Sequence, residues 1–180
     1  MAQSTSSTTL LSLDMLQGLE KPRLAVVYTE WNEAIVHEMR AGIARMAGQT
    51  GAVIMEEMMV PGAVELTFGC RMLWQRYLES SRFPEAMIAV GAVIRGGTPH
   101  FDYVCQSATQ GITQLNLALP VPTIFGVLTL DTEAQAWERL GGSHGHKGEE
   151  AAIAALKMIA QARRLMSDAL QERAGTSVKA

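Results

Sequence analysis

Apolar residues along this chain switch between two rhythms, and the switching predicts a layered α/β domain. Four runs, 23–29 (RLAVVYT), 52–60, 86–94 and 123–129, read as strands, and 86–94 has the length and β-branched content of one buried on both faces. Between them, apolar residues recur every three or four positions, as on one face of a helix. The series are Ile35, Met39, Ile43 and Met46; Leu66, Cys70, Leu73 and Tyr77; Val104, Ala108, Ile112, Leu115 and Leu119; and finally Ala152, Leu156, Ile159, Ala162 and Met166. Turn residues fall at the switches. Asn32 is placed to cap the first helix, and Gly48 and Gly51 bracket its end. Pro61 and Gly62 lead into the second. Thr98 offers an N-cap oxygen, with Pro99 at the first helical position of the third, and Pro120 and Pro122 stop it. Asp131 and Thr132 open a short helix through Leu140, which the glycine-rich 141–148 breaks.

Strands alternating with helices imply a parallel sheet covered on both faces, and ligands bind such sheets beyond the carboxyl ends of the strands. Trp31 and Asn32, Gly62 to Glu65, Gly96 to His100, and Thr129 all fall there. The stretch 89–103 (AVGAVIRGGTPHFDY) is the most informative, because a buried strand runs through a glycine turn into a helix that starts with a histidine. Backbone N–H groups at that helix start, approachable through Gly96 and Gly97, suit a phosphate or another anion. His100 beside them suits proton transfer near neutral pH.

Composition narrows the function. A chain of 180 residues, 48% hydrophobic, supports one core, and the expected organisation is a tail (1–20), one domain (21–172) and a second tail (173–180). The first nine residues, rich in Ser and Thr, read as disordered, and 10–19 as a short helix or a docking arm. A net charge of −3 without any Lys/Arg cluster argues against nucleic acid as a partner, and no apolar run is long enough to span a membrane. Two distant cysteines, Cys70 and Cys105, suggest a reducing, cytoplasmic setting. His144 and His146 with Glu149 and Glu150 have the right atom types for a metal but no recognised zinc spacing, so no metal is expected. The segment 141–148 lacks the Gly-Lys-Ser/Thr of a phosphate-binding loop. His37 reads as a surface residue. Trp31, in a strand-to-helix turn, reads as a pocket wall, and Trp74 and Trp137 as packing residues.

Six motifs in order, WNEAI (31–35), VPGAVEL (60–66), VIRGGTPHFDYV (93–104), GI (111–112), PTIFGVLTLDTEAQAWER (122–139) and GHKGEEAA (145–152), resemble the lumazine synthase family. The resemblance covers roughly residues 23 to 165. It implies a flavodoxin-like three-layer α/β/α sandwich with a four-stranded parallel sheet, assembled as pentamers with active sites between neighbouring subunits. The implied reaction joins two small-molecule substrates, 5-amino-6-(D-ribitylamino)uracil and 3,4-dihydroxy-2-butanone 4-phosphate. It gives 6,7-dimethyl-8-ribityllumazine and inorganic phosphate without any cofactor.

The resemblance also assigns positions. Trp31 takes the place of a Phe that stacks on the pyrimidine. Asn32, Gly62, Ala63 and Glu65, with Ala92 and Ile94, match the pyrimidine and ribityl pocket. Gly96, Gly97 and Thr98 match the phosphate side, and His100 the proton-transfer residue. Phe125, Arg139, Lys147 and Glu150 match the part supplied across the interface, with Arg139 as the chief phosphate cation. The chain departs from the family pattern at Val64, where an aromatic is frequent, at Gly97, where an acidic residue or Ala is common, and at His146, where Asn is usual. Val64 and Gly97 keep open a non-catalytic, ligand-binding or shell-forming member as the alternative. The short 139–148 segment lacks the insertion that accompanies free pentamers, which implies a sixty-subunit cage.

Overall fold

The computed structural model describes residues 12–177, with side-chain surroundings to residue 171. The expectation for the first nine residues, and Leu10 and Leu11 of the proposed arm, lie outside the described residues. Four strands, β1 (Arg23–Thr29), β2 (Val53–Val60), β3 (Ala86–Ile94) and β4 (Thr123–Leu130), form one sheet in the order β2-β1-β3-β4, every pair parallel. Helices α1 (Glu33–Thr50), α2 (Leu66–Gln75), α3 (His100–Ala118), α4 (Glu133–Trp137) and α5 (Lys147–Ser177) connect and cover it. The result is the expected three-layer α/β/α sandwich.

The two-residue period of a strand sorts its side chains between the layers. Leu24, Val26, Ile88 and Val90 point to one face and pack with Ile35, Met39 and Ile43 of α1 and Leu156 and Ile159 of α5. Ala25, Val27, Met87 and Ala89 point to the other and pack with Leu66, Cys70 and Leu73 of α2 and Ala108 and Ile112 of α3. Small residues dominate the second set, so α2 sits close to the sheet. A Cβ on Gly69 would lie 2.7 Å from Val60 Cγ1. Burial without any charged partner pushes the Cys70 thiol up to about 12. Outer strand β2 is interrupted: Leu24 faces Ile54 but Ala25 faces Glu56, so Met55 is an extra residue that bulges.

Several boundaries differ from the expected ones. Helix α3 starts at His100 after Pro99, and no side chain caps it, so Thr98 is not its N-cap. Helix α4 ends at Trp137, because the glycine-rich segment folds back as an antiparallel hairpin of β5 (Leu140–Gly142) and β6 (Gly145–His146). Gly141 (φ +107°) and Gly145 (φ +74°) supply the backbone angles it needs. The expected buried stripe of α5 ends at Ile159: Ala162 and Met166 are exposed, since the helix has by then run past the sheet. Trp74 packs in the core, but Trp137 is exposed and hydrogen-bonds Glu133. No helix among the described residues is long and apolar enough to cross a membrane.

The last tie between α5 and the sheet is ionic. Arg163 grips both Glu85 carboxylate oxygens at 2.8 and 2.7 Å, and Glu85 also accepts the Arg23 amide at 3.1 Å. Burial alone would raise the Glu85 carboxyl. The Arg163 fork, the Arg23 amide and the two guanidinium charges outweigh it and hold the group below its ordinary 4.5. A depressed carboxylate contributes stability that is complete above its unfolded value and is lost as pH falls through the folded one. The melting temperature is therefore expected to drop as pH falls below 4.5, and to drop less steeply in Glu85→Gln. Parallel pH profiles for the two proteins would refute this.

Candidate active site

Because the four strands run the same way, the turns that follow them collect along one edge of the sheet. After β1 the chain passes through Trp31, whose ring is 73% exposed, and Asn32, which takes the left-handed conformation (φ 59°, ψ 45°). Asn32 holds the N-cap position of α1, but its side chain makes no cap bond. Its Nδ2 instead donates to the Ala92 carbonyl of β3 at 2.8 Å, tying the first turn to the strand that leads to His100. Ala92 is buried and Ile94 half-buried beneath these turns.

After β2, a turn closed by the Glu65 amide on the Gly62 carbonyl (3.2 Å) carries Gly62, Ala63 and Glu65. A Cβ on Gly62 would sit 3.1 Å from Glu65 Oε2 and 3.7 Å from Trp31 Cδ1, so the first two turns touch here. After β3, Gly96, Gly97, Thr98 and His100 are all exposed. Neither Gly96 nor Gly97 has positive φ, and a Cβ on either would meet nothing within 4 Å. The fold itself does not require glycine there; what the two glycines leave open is access to the backbone. With Thr98 not capping α3, the helix start keeps its amides free of any side-chain cap.

Arg95 was not singled out by sequence reasoning, though it directly precedes these glycines. Its amide donates to the Leu130 carbonyl (2.8 Å) and its guanidinium to Asp131 (2.7 Å) and Asp102 (3.2 Å), and it stacks over Phe101. It thus pins the glycine turn to the ends of β4 and α3.

The remaining predicted residues lie elsewhere. Phe125, Arg139, Lys147 and Glu150 line a groove of about 520 Å³ between the outer side of β4 and the start of α5, floored by β4 from Ile124 to Leu130, including Thr129. Phe125 is 41% exposed there. Lys147 Nζ donates to both Glu150 oxygens at 2.8 and 2.6 Å, and Arg139 Nη1 donates to the Gln135 carbonyl at 2.9 Å. None of Trp31, Asn32, Glu65 or His100 lines this groove. Strands β2 and β4 are opposite edges of the sheet, three spacings or about 14 Å apart. Phe125 faces Ala89, five positions before the Ile94–Leu130 pair that ends β3, which puts it about 16 Å below the carboxyl edge. One chain therefore keeps Trp31, Glu65 and His100 at the carboxyl edge out of the groove that Phe125, Arg139 and Lys147 line, although the groove's floor reaches that edge at Leu130.

His146, grouped by its atom types with possible metal ligands, turns inward from the groove. It is 8% exposed and bonded to Glu38 at 3.1 Å. Glu38, on the middle of α1, carried no signal in the sequence.

The family described as 6,7-dimethyl-8-ribityllumazine synthase matches residues 21–163. Among curated proteins bearing that name, one from Porphyromonas gingivalis is 46% identical over 140 residues, 76% of this chain and 83% of its own length. One from Kineococcus radiotolerans is 45% identical over 139 residues, 76% of this chain and 83% of its own. One from Cytophaga hutchinsonii is 42% identical over 149 residues, 81% of this chain and 90% of its own.

Proposed function

The chain belongs to the 6,7-dimethyl-8-ribityllumazine synthase family, transferases of riboflavin biosynthesis, and from that premise we propose how its own residues perform the reaction. The 5-amino group of the ribitylaminouracil attacks the ketone of 3,4-dihydroxy-2-butanone 4-phosphate, and loss of water leaves an imine. Removal of a carbon-bound proton expels phosphate and leaves an enol, which takes up a proton on carbon to become a ketone. The ribitylamino nitrogen adds to that carbonyl to close the second ring, and a further water leaves.

Trp31 stacks on the pyrimidine with its exposed ring. Asn32, Gly62, Ala63 and Glu65 hold the polar edge and the ribityl chain, above Ala92 and Ile94. The Gly96–Thr98 turn and the uncapped start of α3 receive the phosphate. His100, the first residue of α3, carries protons during imine formation and dehydration. Val64 and Gly97 depart from the family pattern, but Trp31, Asn32, Glu65, Thr98 and His100 are all present, and no observation favours a non-catalytic role.

The observation that carries the reading is the separation of the edge residues from the groove residues. A substrate pair that needs stacking, an anion turn and the Arg139–Lys147 cations finds them all only where the groove of a second copy meets the carboxyl edge of the first. Exposed Met59, Val64 and Phe68 near that edge support a covered interface. The assembly is a ring of five. The tight β5–β6 hairpin between α4 and α5 supports closure of such rings into a sixty-subunit cage. Sedimentation velocity is expected to show a species of that size, and pentamers or decamers alone at all concentrations would reject the cage. Free Cys70 and Cys105 support a cytoplasmic location.

Mixing purified protein with both substrates and following lumazine fluorescence against a protein-free control tests the activity. Acceleration above the spontaneous rate is expected; a folded protein that gives none would overturn the reading.

A further inference from the structure

Arg139 and Lys147 reach the groove from either end of a very small element. The Lys147 amide donates to the Arg139 carbonyl at 2.8 Å, and the residues between them form the β5–β6 hairpin, in which Leu140 faces His146. A two-stranded hairpin of three and two residues with two left-handed glycines is marginal on its own. Something outside it must fix the direction in which the two cations point.

That anchor is the His146 ring. Its Nδ1 accepts the Glu149 amide at 3.4 Å, which places the proton on Nε2, and Nε2 donates to Glu38 Oε1 at 3.1 Å. Glu38 also accepts from Arg45 Nη1 at 3.1 Å, and Arg45 Nε donates to Glu149 Oε1 at 3.0 Å, so the circuit closes across α1 and α5. The ring lies against two glycines. A Cβ on Gly42 would overlap its Cε1 and Nδ1, and one on Gly148 would overlap the Met39 carbonyl and come within 3.1 Å of Cε1. Both nitrogens are used and the residue is buried, so the ring has little freedom to rotate. Successive glutamates divide the work: Glu149 turns back to α1, while Glu150 faces the groove and holds Lys147.

We propose that His146, held by Glu38, is the positioning residue for the Arg139–Lys147 pair, fixing both cations for the substrate phosphate without touching it. This rests on the reading of the groove as the phosphate-binding half of the site. At this position the family usually has Asn, whose side-chain amide likewise offers one donating and one accepting end. The strut is thus this chain's own version, built with a longer side chain that reaches α1.

The test compares KM for the two substrates. His146→Ala is expected to raise KM for the butanone phosphate about tenfold through misplacement of the cations, with KM for the pyrimidine unchanged. Adding His146→Ala to the Arg139→Ala/Lys147→Ala double variant should change little further, because both groups being positioned are gone. Glu38→Gln keeps an oxygen to accept Nε2–H and should behave as wild type, and Glu38→Leu should copy His146→Ala. If His146→Ala does not fold, the Glu38 pair decides alone. Equal effects on both substrates, no effect, or an undiminished effect in the Arg139→Ala/Lys147→Ala background would overturn the proposal. Should the wild type show no synthase activity, the functional reading fails separately. Inorganic phosphate titrated by calorimetry then decides: about tenfold weaker binding to His146→Ala upholds the strut, and equal binding removes it.

Discussion

Arg139→Ala should raise KM for 3,4-dihydroxy-2-butanone 4-phosphate by about ten- to a hundredfold while leaving KM for the ribitylaminouracil near its starting value. A hydrogen bond to a charged group contributes about 1.5–3 kcal/mol, and Arg139 is the cation in the groove best able to supply one. Its guanidinium commits one donor to the Gln135 carbonyl, which orients the fork and leaves the other N–H groups available. Lys147 is already paired with both Glu150 oxygens, so it offers a charge partly neutralised in advance. Steady-state kinetics with each substrate varied in turn reads the result directly. A rise of similar size for both would mean that Arg139 supports the whole assembly rather than the phosphate.

His100→Ala should lower kcat by about a hundredfold, the low end of general acid–base effects, with small changes in either KM. The low end is expected because an amine and a ketone condense readily once oriented, so positioning supplies much of the rate. His100 begins α3 just after the glycine turn and is exposed. His100→Gln, which keeps a polar group without comparable basicity, should resemble the alanine variant. Single-turnover fluorescence separates this loss from slow product release, and an unchanged rate would remove His100 from the chemistry.

Inner strand β3 was legible because burial on both faces leaves an uninterrupted apolar run, and Ala86–Ile94 was read with its observed ends. The carboxyl-edge residues followed from the parallel topology. Other features obey forces that a local pattern does not record. Asn32 has the residue type of a helix cap, yet its left-handed backbone aims the amide at Ala92, sixty positions on. Thr98 looks like the start of α3, but Pro99 takes the position before the first helical residue. Helical spacing on α5 continues through Ala162 and Met166 although no sheet lies beneath them, because periodicity shows a face and not whether anything covers it. The segment 141–148 was read as a break, since its glycines signal turns without signalling that two strands pair between them. Glu38 and His146 are 108 positions apart and meet only in the folded chain.

The two outer strands carry a consequence for solubility during synthesis. An open parallel sheet exposes a row of unpaired backbone groups at each edge, and such rows recruit strands from other chains. Along β2 the bulge at Met55 breaks the row, and Glu56 and Glu57 place two carboxylates beside it. Along β4 the backbone is straight from Thr123 to Leu130, and the groove charges Arg139, Lys147 and Glu150 stand over it instead. An intruding strand would have to strip water from those charges without pairing them. Arg139, Lys147 and Glu150, proposed above to receive substrate, therefore also guard the β4 edge against strand recruitment, and neutralising them is expected to expose a bare edge.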